Sequence, residues 1–301
     1  MFSYKFKFLF LFLGVLVSPA LFSQDKIEMG GDEELIKEST EVDTAHVVDG
    51  VVKRTLIQDN RVLPYEPMRE ADIPWEKKVW RVIDVAEKMN LAFVNPQRPF
   101  FQVIADLALN GDITVYNKDD FKHIMTIEEV QAQMSTVDTL IDFDEDTYEE
   151  TVKIVHNDIN YEDIKQYRIK EVWFFDEESS RLLVRVLGIA PIKDFYDPET
   201  GTFKYALPLF WVYFPEARKY LSKELVFNAS NDVAPMTWQD LFEARYFSSF
   251  IYKITNPLDL RIKDYIKSPL DDPLQEGIDR LLESRRIKNY LFNFEQDLWS
   301  Y

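Results

Sequence analysis

Residues 171–191 read EVWFFDEESSRLLVRVLGIAP, and this stretch decides the fold of the chain. An aromatic run precedes three consecutive carboxylates, Asp176–Glu178, and an aliphatic run follows them. Aromatic and β-branched residues on both sides of a short polar segment are typical of two antiparallel strands joined by a turn. The pattern therefore predicts a β-hairpin with arms at 167–175 and 182–190. It leaves open whether the carboxylates form an acid/base site or only a turn.

The pairing of the two arms decides where the carboxylates lie. With a five-residue loop, Asp176–Ser180, Glu171 faces Arg185 and every other facing pair is apolar or cation–aromatic. Such cross-strand pairs contribute a few tenths to about 1 kcal/mol each. With a four-residue loop, Glu171 faces Val186, which is a poorer match. We therefore expect the five-residue loop, which leaves the carboxylates at an exposed tip where nothing raises their pKa values toward neutrality.

The rest of the chain predicts an α+β fold, in which N- and C-terminal helices flank one mostly antiparallel sheet. The sheet is expected to span about residues 167–214 and to end with the apolar run 209–214. Apolar periodicity, prolines and capping residues predict the helices. Their expected starts are Asp72, Phe100, Thr126, Pro215, Thr237 and Asp272. The helix that starts at Asp72 is expected to contain Trp75 to Ala86. The helix that starts at Thr237 is expected to continue to Phe250.

Residues 1–23 predict a secretory signal peptide. A short basic region precedes an apolar segment, 8–17, that is too short to cross a bilayer comfortably. Cleavage is expected near Ser23/Gln24. No cysteine follows this segment, so lipoprotein-type lipidation of a processed N-terminus is not expected. These features predict an exported protein.

Residues 24–60 differ in composition from the domain expected at 61–301. They are acidic and contain no aromatic residue, which is typical of a flexible arm. Within the arm, Asp49 and Gly50 lie between valines, which is a hairpin signal. Because an isolated two-stranded hairpin is marginal in water, we expect this arm to order only against a neighbouring subunit or partner.

Composition narrows the classes of function. The chain has 35 basic and 53 acidic residues, a net charge of −18, which disfavours binding to nucleic acid or anionic lipid. It contains no cysteine, which excludes thiol catalysis and thiolate metal sites. Beyond the leader, no apolar segment is long enough to span a membrane. Stability must therefore come from core packing, which a chain of this size permits.

The sequence offers little support for a metal or cofactor. The three histidines lie far apart and lack the spacing of a zinc site. The aspartates of Asp142–Asp146 alternate as at the start of a calcium loop. However, Thr147 and Lys153 stand where such a loop needs glycine and glutamate. We expect a solvated acidic loop and no cofactor, with a calcium-dependent module as the weaker alternative.

A periplasmic glycan-binding protein or hydrolase is the main alternative function. It requires an aromatic-lined cleft with two converging carboxylates. Trp173, Trp211 and Trp238 are candidates to line such a cleft, although their positions on apolar faces favour core packing. Burial of all three would exclude this alternative.

Four segments of the chain resemble one known family. They are 74–90 (PW…WRVID…EK.N), 167–191 around the hairpin, 208–218 (PLFWVYFPEAR) and 242–256 (FEARYFSSFIYK..N). Together, and in this order, they resemble the GldN/PorN family over about residues 61–266 and the signal peptide. The resemblance implies a periplasmic component of the type IX secretion system, which serves protein export and gliding motility.

The same resemblance implies partners and the absence of catalysis. Family members are non-enzymatic subunits of a ring that associates with an outer-membrane lipoprotein of the GldK/PorK type. They also contact the periplasmic part of a motor protein of the GldM/PorM type. We therefore expect a structural subunit that self-associates in a ring. The candidate contact residues are Asp176, Glu177, Glu178 and Arg181 at the hairpin tip and Asp49 and Gly50 in the arm. A solvated turn without a partner is the alternative for the tip.

Overall fold

The computed structural model describes residues 60–143, 150–158, 163–197, 200–228, 235–267 and 272–299. In chain order, its strands are β1 Trp75–Asp84, β2 Val115–Tyr116, β3 Ser135–Phe143, β4 Glu150–Asp158, β5 Ile164–Asp176, β6 Arg181–Tyr196, β7 Phe203–Pro208, β8 Trp211–Tyr213, β9 Leu225–Val226, β10 Met236–Thr237 and β11 Phe250–Ile254. Its α-helices are α1 Phe100–Leu109, α2 Ile127–Met134, α3 Phe214–Leu221, α4 Trp238–Glu243, α5 Ile262–Tyr265 and α6 Pro273–Trp299. Short 3₁₀ helices cover Glu70–Asp72 and Lys88–Val94.

One antiparallel sheet organises these elements, which confirms the α+β prediction. Its strand order is β11-β1-β5-β6-β8-β2, and β7 pairs with the far end of β6. The predicted hairpin forms the centre of the sheet as β5 and β6. Two further strand pairs, β3–β4 and β9–β10, form separate two-stranded sheets. The main sheet is wider than expected, because β1, β2 and β11 come from outside the predicted range.

Strand β1 corrects the first predicted helix. Trp75, Val79 and Val82 are spaced as on a helix face, yet Trp75–Asp84 pairs along its whole length with β5 and, through Val79–Val82, with β11. Residues Val79–Ile83 are all buried. Packing covers both faces of this strand, since Val79 and the next residue, Trp80, belong to different clusters. Apolar residues therefore follow one another without strict alternation, and some of them fall at helical spacing. Tertiary pairing outweighs local propensity here.

The segment after Thr237 corrects a second prediction. The capping box is confirmed, since the Thr237 hydroxyl accepts a hydrogen bond from the Asp240 amide and the Asp240 carboxylate accepts one from the Thr237 amide. The helix, however, ends at Glu243 and does not reach Phe250. Arg245 adopts a left-handed backbone conformation with φ of 55°, which ends the helical path. Residues Phe250–Ile254 then form an outer strand of the sheet.

The remaining helices begin close to their predicted starts. The helix after Pro215, however, was expected to reach Leu225 and ends at Leu221, and Leu225 belongs to β9. Helix α1 is followed by Gly111 at φ of 75°, as a C-terminal glycine requires. Thr126 and Glu129 exchange the predicted capping-box hydrogen bonds, at 2.9 and 3.3 Å. The apolar run 209–214 is a strand only over Trp211–Tyr213. Phe214 already begins α3, because Pro215 fits the first turn of a helix.

The main core lies where α1, α4 and the 3₁₀ helix Lys88–Val94 cover the sheet. It centres on aromatic rings, with Phe100 and Trp238 at a centroid distance of 4.4 Å and Phe93 and Tyr167 at 5.3 Å. All four side chains are at most 1% exposed. Each such ring contributes on the order of 1.5–3 kcal/mol through its buried apolar surface, an upper estimate.

Helix α6 covers a second, smaller cluster. Its Ile287 and Leu291 pack with Val79 and Ile251 of the sheet. Ser284 is buried, and its hydroxyl accepts a hydrogen bond from the Ile251 amide at 2.8 Å. The C-terminal half of α6 is thus fixed on β1 and β11.

Candidate interaction surface

The turn of the β5–β6 hairpin is tighter than the sequence predicted. Asp176 pairs with Arg181, so the turn consists of the four residues Glu177–Ser180. The expected five-residue loop is wrong, and Glu171 faces Val186 in the register that looked less favourable. Ser180 has a φ of 54°, the left-handed conformation that closes the turn.

Contacts outside the hairpin explain this register. Glu171 does not need Arg185 as its cross-strand partner, because Arg245 approaches it from the loop after α4, with 2.7 Å between Nη1 and Oε1. Arg185 instead lies over the Phe174 ring and donates a hydrogen bond to the Glu66 carbonyl at 3.1 Å. A pairing argument confined to two strands does not include these third partners.

Asp176 is part of the turn itself and not of an exposed tip. It is 6% exposed, and its carboxylate accepts hydrogen bonds from the Ser179 hydroxyl at 2.5 Å and from the amides of Glu178 and Ser179 at 3.2 and 3.3 Å. The Ser179 hydroxyl is the main cause that holds the pKa of Asp176 below its usual value. An aspartate that stays ionised and closes a turn is unsuited to donate a proton.

The other three candidate residues of the turn are exposed. Glu177, Glu178 and Arg181 present their side chains to solvent. The turn is nevertheless held in place, because the Glu177 amide donates a hydrogen bond to the Asp72 carbonyl at 3.0 Å. The turn is thus held internally by the Asp176 carboxylate and externally by the Asp72 carbonyl.

The segment that precedes β1 lies along this same region. Two guanidinium groups lie close to the Tyr65 ring, that of Arg218 at 3.8 Å and that of Arg185 at 4.7 Å from the ring centroid. The Tyr65 hydroxyl donates a hydrogen bond to Glu243 at 2.7 Å. The pKa of Tyr65 is raised above its usual value. Burial is the largest cause, and the hydrogen bond to Glu243 is the second. The aromatic ring and three charged groups thus attach this segment to the domain.

Behind the turn lies a buried ion pair. Glu171 is fully buried, and both of its oxygens are engaged: Oε1 with Arg245 at 2.7 Å and Oε2 with the Trp173 indole N–H at 3.0 Å. The Arg245 guanidinium also lies over the Trp173 ring at 5.2 Å. A buried charge is tolerated when it is paired and hydrogen-bonded in this way.

Two further buried groups extend this arrangement. The Arg81 guanidinium is 4% exposed and donates to the Ser249 hydroxyl at 2.8 Å and to its carbonyl at 3.2 Å. Burial lowers the pKa of Arg81, while the nearby Glu171 carboxylate opposes that shift. Asn90 is fully buried and exchanges hydrogen bonds with the Ser248 backbone, at 2.8 and 2.9 Å. We call Arg81, Asn90, Glu171, Trp173, Arg245, Ser248 and Ser249 the buried polar network.

The buried polar network is a scaffold and not a reaction centre. Its one carboxylate is inaccessible, and both of its oxygens already accept hydrogen bonds. Such fully satisfied networks fix the relative positions of the elements that supply them. Here they join β1, β5 and the loop before β11.

The tryptophans of the glycan alternative lie mainly in the core. Trp211 is 4% exposed and Trp238 is 1% exposed, so neither can line a sugar groove. Trp173 is half-buried and is covered by Arg245. Burial of all three tryptophans was the criterion for excluding the glycan alternative. Two of the three are buried, so the criterion is met only in part.

Other candidate sites lie partly or wholly beyond the described residues. Asp49 and Gly50 of the arm, and Asp144 and Asp146 of the candidate calcium loop, are among the residues that are not described. Within the described ranges, no three histidine, aspartate or glutamate side chains come together as metal ligands. Over the same ranges, no helix is both long and apolar enough to cross a membrane.

Comparison with known families finds a match over most of the chain. The family model described as gliding motility associated protein GldN matches residues 68–300. The chain belongs to the GldN family. No curated protein matches the chain.

The segments that resemble the GldN family supply the buried polar network. Segment 74–90 provides Arg81 and Asn90, segment 167–191 provides Glu171 and Trp173, and segment 242–256 provides Arg245 and both serines. Sequence reasoning missed this network, because its members are up to 168 positions apart along the chain, as Arg81 and Ser249 are. Glu171, a carboxylate within a predicted strand of mainly apolar residues, was the signal that could have revealed it.

Proposed function

We propose that this chain is a non-enzymatic structural and interaction subunit of the type IX protein secretion and gliding motility machinery. In this proposal it works in the periplasm, after removal of a leader near Ser23/Gln24. It forms a ring with other copies and with an outer-membrane lipoprotein of the GldK/PorK type. It also contacts the periplasmic part of a GldM/PorM-type motor protein.

Membership of the GldN family is the observation that carries the proposal. The geometry of the hairpin supports it. The carboxylates of residues Glu171 and Asp176 serve the fold, while Glu177 and Glu178 are exposed on a backbone that is held by Asp72. A fixed surface with two exposed carboxylates is suited to docking on a basic partner.

Docking through the turn is tested by reversing its charge in cells. We expect Glu177→Lys combined with Glu178→Lys to reduce gliding and type IX secretion in a strain that lacks the wild-type gene, because the variant surface repels a basic partner. The matched control is Asp112→Lys with Glu128→Lys, which makes the same change of charge at two exposed sites on another part of the domain. Gliding and secretion at wild-type levels in the turn variant would remove the turn from the docking surface.

The proposed location is tested by fractionation. We expect the protein in periplasmic and outer-membrane fractions, with a mature N-terminus at or near Gln24. Recovery from the cytoplasm with an intact leader would contradict the proposal. The arm around Asp49 and Gly50 is proposed as a second contact region, and protease protection of residues 40–60 in the isolated monomer would contradict its ordering on a partner.

A further inference from the structure

A groove lies between the N-terminal part of α6 and the sheet. Its volume is about 580 Å³, which is within the range of ligand-binding sites. Val82, Ile192 and Phe250 line it from the sheet, and Leu274 and Leu281 line it from α6. The groove is therefore mainly apolar, unlike the acidic surface of the chain as a whole.

The charged side chains that line this groove are all cationic among the described residues. They are Arg168, Arg261, Lys263 and Arg280. The Arg280 guanidinium has a partner in Glu276, one helical turn away. The excess of positive charge nevertheless stands out in a chain of net charge −18 and makes the groove attractive to a carboxylate.

Two guanidinium groups at the groove have a donor without an acceptor. The Nε atoms of Arg168 and Arg280 are buried, and neither has a hydrogen-bond partner within the described part of the chain. Burial is the main cause that lowers the pKa of Arg168. An unmet buried donor costs on the order of 1–3 kcal/mol, more when it is charged. The Arg280 side chain as a whole is 40% exposed, so a carboxylate of a second molecule can approach it.

Gly277 is the third unusual feature of the groove. It lies in the interior of α6, where glycine is about 0.5–1 kcal/mol less favourable than alanine. Apart from its chain neighbours and the adjoining backbone of its own helix, no atom of the described residues lies within 4 Å of the position that a Cβ would take there. Packing among the described residues therefore does not require glycine at this position, and the helix backbone is open there to the approach of a second molecule.

We infer that this groove is the docking site for a short segment of a partner protein that carries apolar side chains and carboxylates. A small ligand would leave much of the rim in water, since Leu274 is 74% and Leu281 is 55% exposed. A polypeptide can cover the floor and the rim together. The nine helical residues 273–281 extend over about 13 Å, the length of about four residues of extended chain. This inference is independent of the function proposed above.

The test uses the full-length mature chain and fluorescein-labelled hexapeptides. The probe is Leu-Glu-Leu-Leu-Glu-Leu, and its comparison is the same peptide with lysine in place of glutamate. By fluorescence anisotropy, we expect the acidic peptide to have a Kd at least tenfold lower than that of the lysine peptide. Equal Kd values for the two peptides, or no binding of the acidic one, would overturn the inference.

Two variants locate the binding in the groove. Gly277→Leu fills the open space beside the helix and is expected to raise the Kd of the acidic peptide at least tenfold. Its control, Asn289→Leu, adds the same side chain at an exposed position of the same helix outside the groove and is expected to leave the Kd within twofold. Arg280→Gln removes one cation and is expected to weaken the acidic peptide without affecting a glutamine-substituted peptide. An unchanged Kd in Gly277→Leu or in Arg280→Gln contradicts the inference.

The same variants and peptides distinguish a partner segment from two other occupants of the groove, a lipid and a second copy of the chain. If oleate binds with a Gly277-dependent affinity and the acidic peptide does not, the groove is a lipid site and the inference is wrong. If sedimentation shows self-association that Gly277→Leu abolishes and excess acidic peptide does not, the occupant is a second copy and the inference is again wrong. Thermal unfolding of Gly277→Leu is expected at or above the wild-type temperature, which shows that lost binding is not lost folding.

Discussion

The two charged regions beside the sheet differ in how their polar groups are satisfied. At the buried polar network, Glu171 has both oxygens engaged and Arg81 donates to Ser249. At the groove under α6, two guanidinium groups retain a buried donor without an acceptor among the described residues. The described residues account for the charges of the buried polar network, whereas they leave these two donors at the groove without a partner.

The largest effect is expected from opening the buried polar network. Glu171→Ala leaves Arg245 and Arg81 without their carboxylate, and we expect a loss of about 3 kcal/mol in the free energy of unfolding, as for a broken buried ion pair. Urea unfolding of the purified protein measures it. The control, Glu177→Ala on the exposed turn, is expected to change stability by no more than about 0.5 kcal/mol. A loss below about 1 kcal/mol for Glu171→Ala would show that the network is not structural.

A smaller effect is expected where the N-terminal segment attaches. Tyr65→Phe removes the hydrogen bond to Glu243, and we expect a loss of about 1 kcal/mol near neutral pH. Because burial raises the folded pKa of Tyr65 above its unfolded value, its contribution is present below about pH 10 and is lost as the pH rises further. The difference between variant and wild type should therefore shrink in alkali. The exposed Tyr290→Phe serves as control, and an equal loss in both variants would contradict the contact.

At the groove, by contrast, we expect a substitution that increases the free energy of unfolding. Gly277→Ala is expected to raise the free energy of unfolding by about 0.5–1 kcal/mol, because alanine favours the helix and its Cβ meets open space. Urea unfolding again gives the value. Destabilisation by Gly277→Ala would show that packing within the chain requires the glycine. It would contradict the proposed difference between the groove and the buried polar network.

The smallest effect is expected at the turn and depends on pH. Asp176→Asn loses the charged acceptor for Ser179 and should be less stable than wild type near pH 7. Since the folded pKa of Asp176 lies below the ordinary value of 3.8, its contribution is present above that pH and disappears as the pH falls through the folded pKa. The two unfolding curves should therefore converge in acid. A constant difference down to pH 2 would mean that the charge of Asp176 contributes nothing.

Local sequence signals predicted the elements that local chemistry determines. The capping boxes at Thr126 and Thr237, the glycine after α1 and the apolar arms of the hairpin were all visible in the sequence. The family resemblance was also correct, and its segments proved to supply the buried polar network.

Features determined by distant contacts were not predictable in the same way. Trp75–Asp84 has helical spacing but forms a strand, because β5 and β11 cover both of its edges. The hairpin register follows partners outside the hairpin, Arg245 for Glu171 and Glu66 for Arg185. The groove depends on the position of α6 relative to the sheet, which no local pattern contains.

Isolation of the assembly tests the central claim most directly. The tagged mature protein would be purified from the envelope of the producing bacterium, its partners identified by mass spectrometry and the particles imaged. The proposed function predicts co-isolation with a GldK/PorK-type lipoprotein in ring-shaped particles. Recovery as a monomer, without the lipoprotein and without rings, would contradict it.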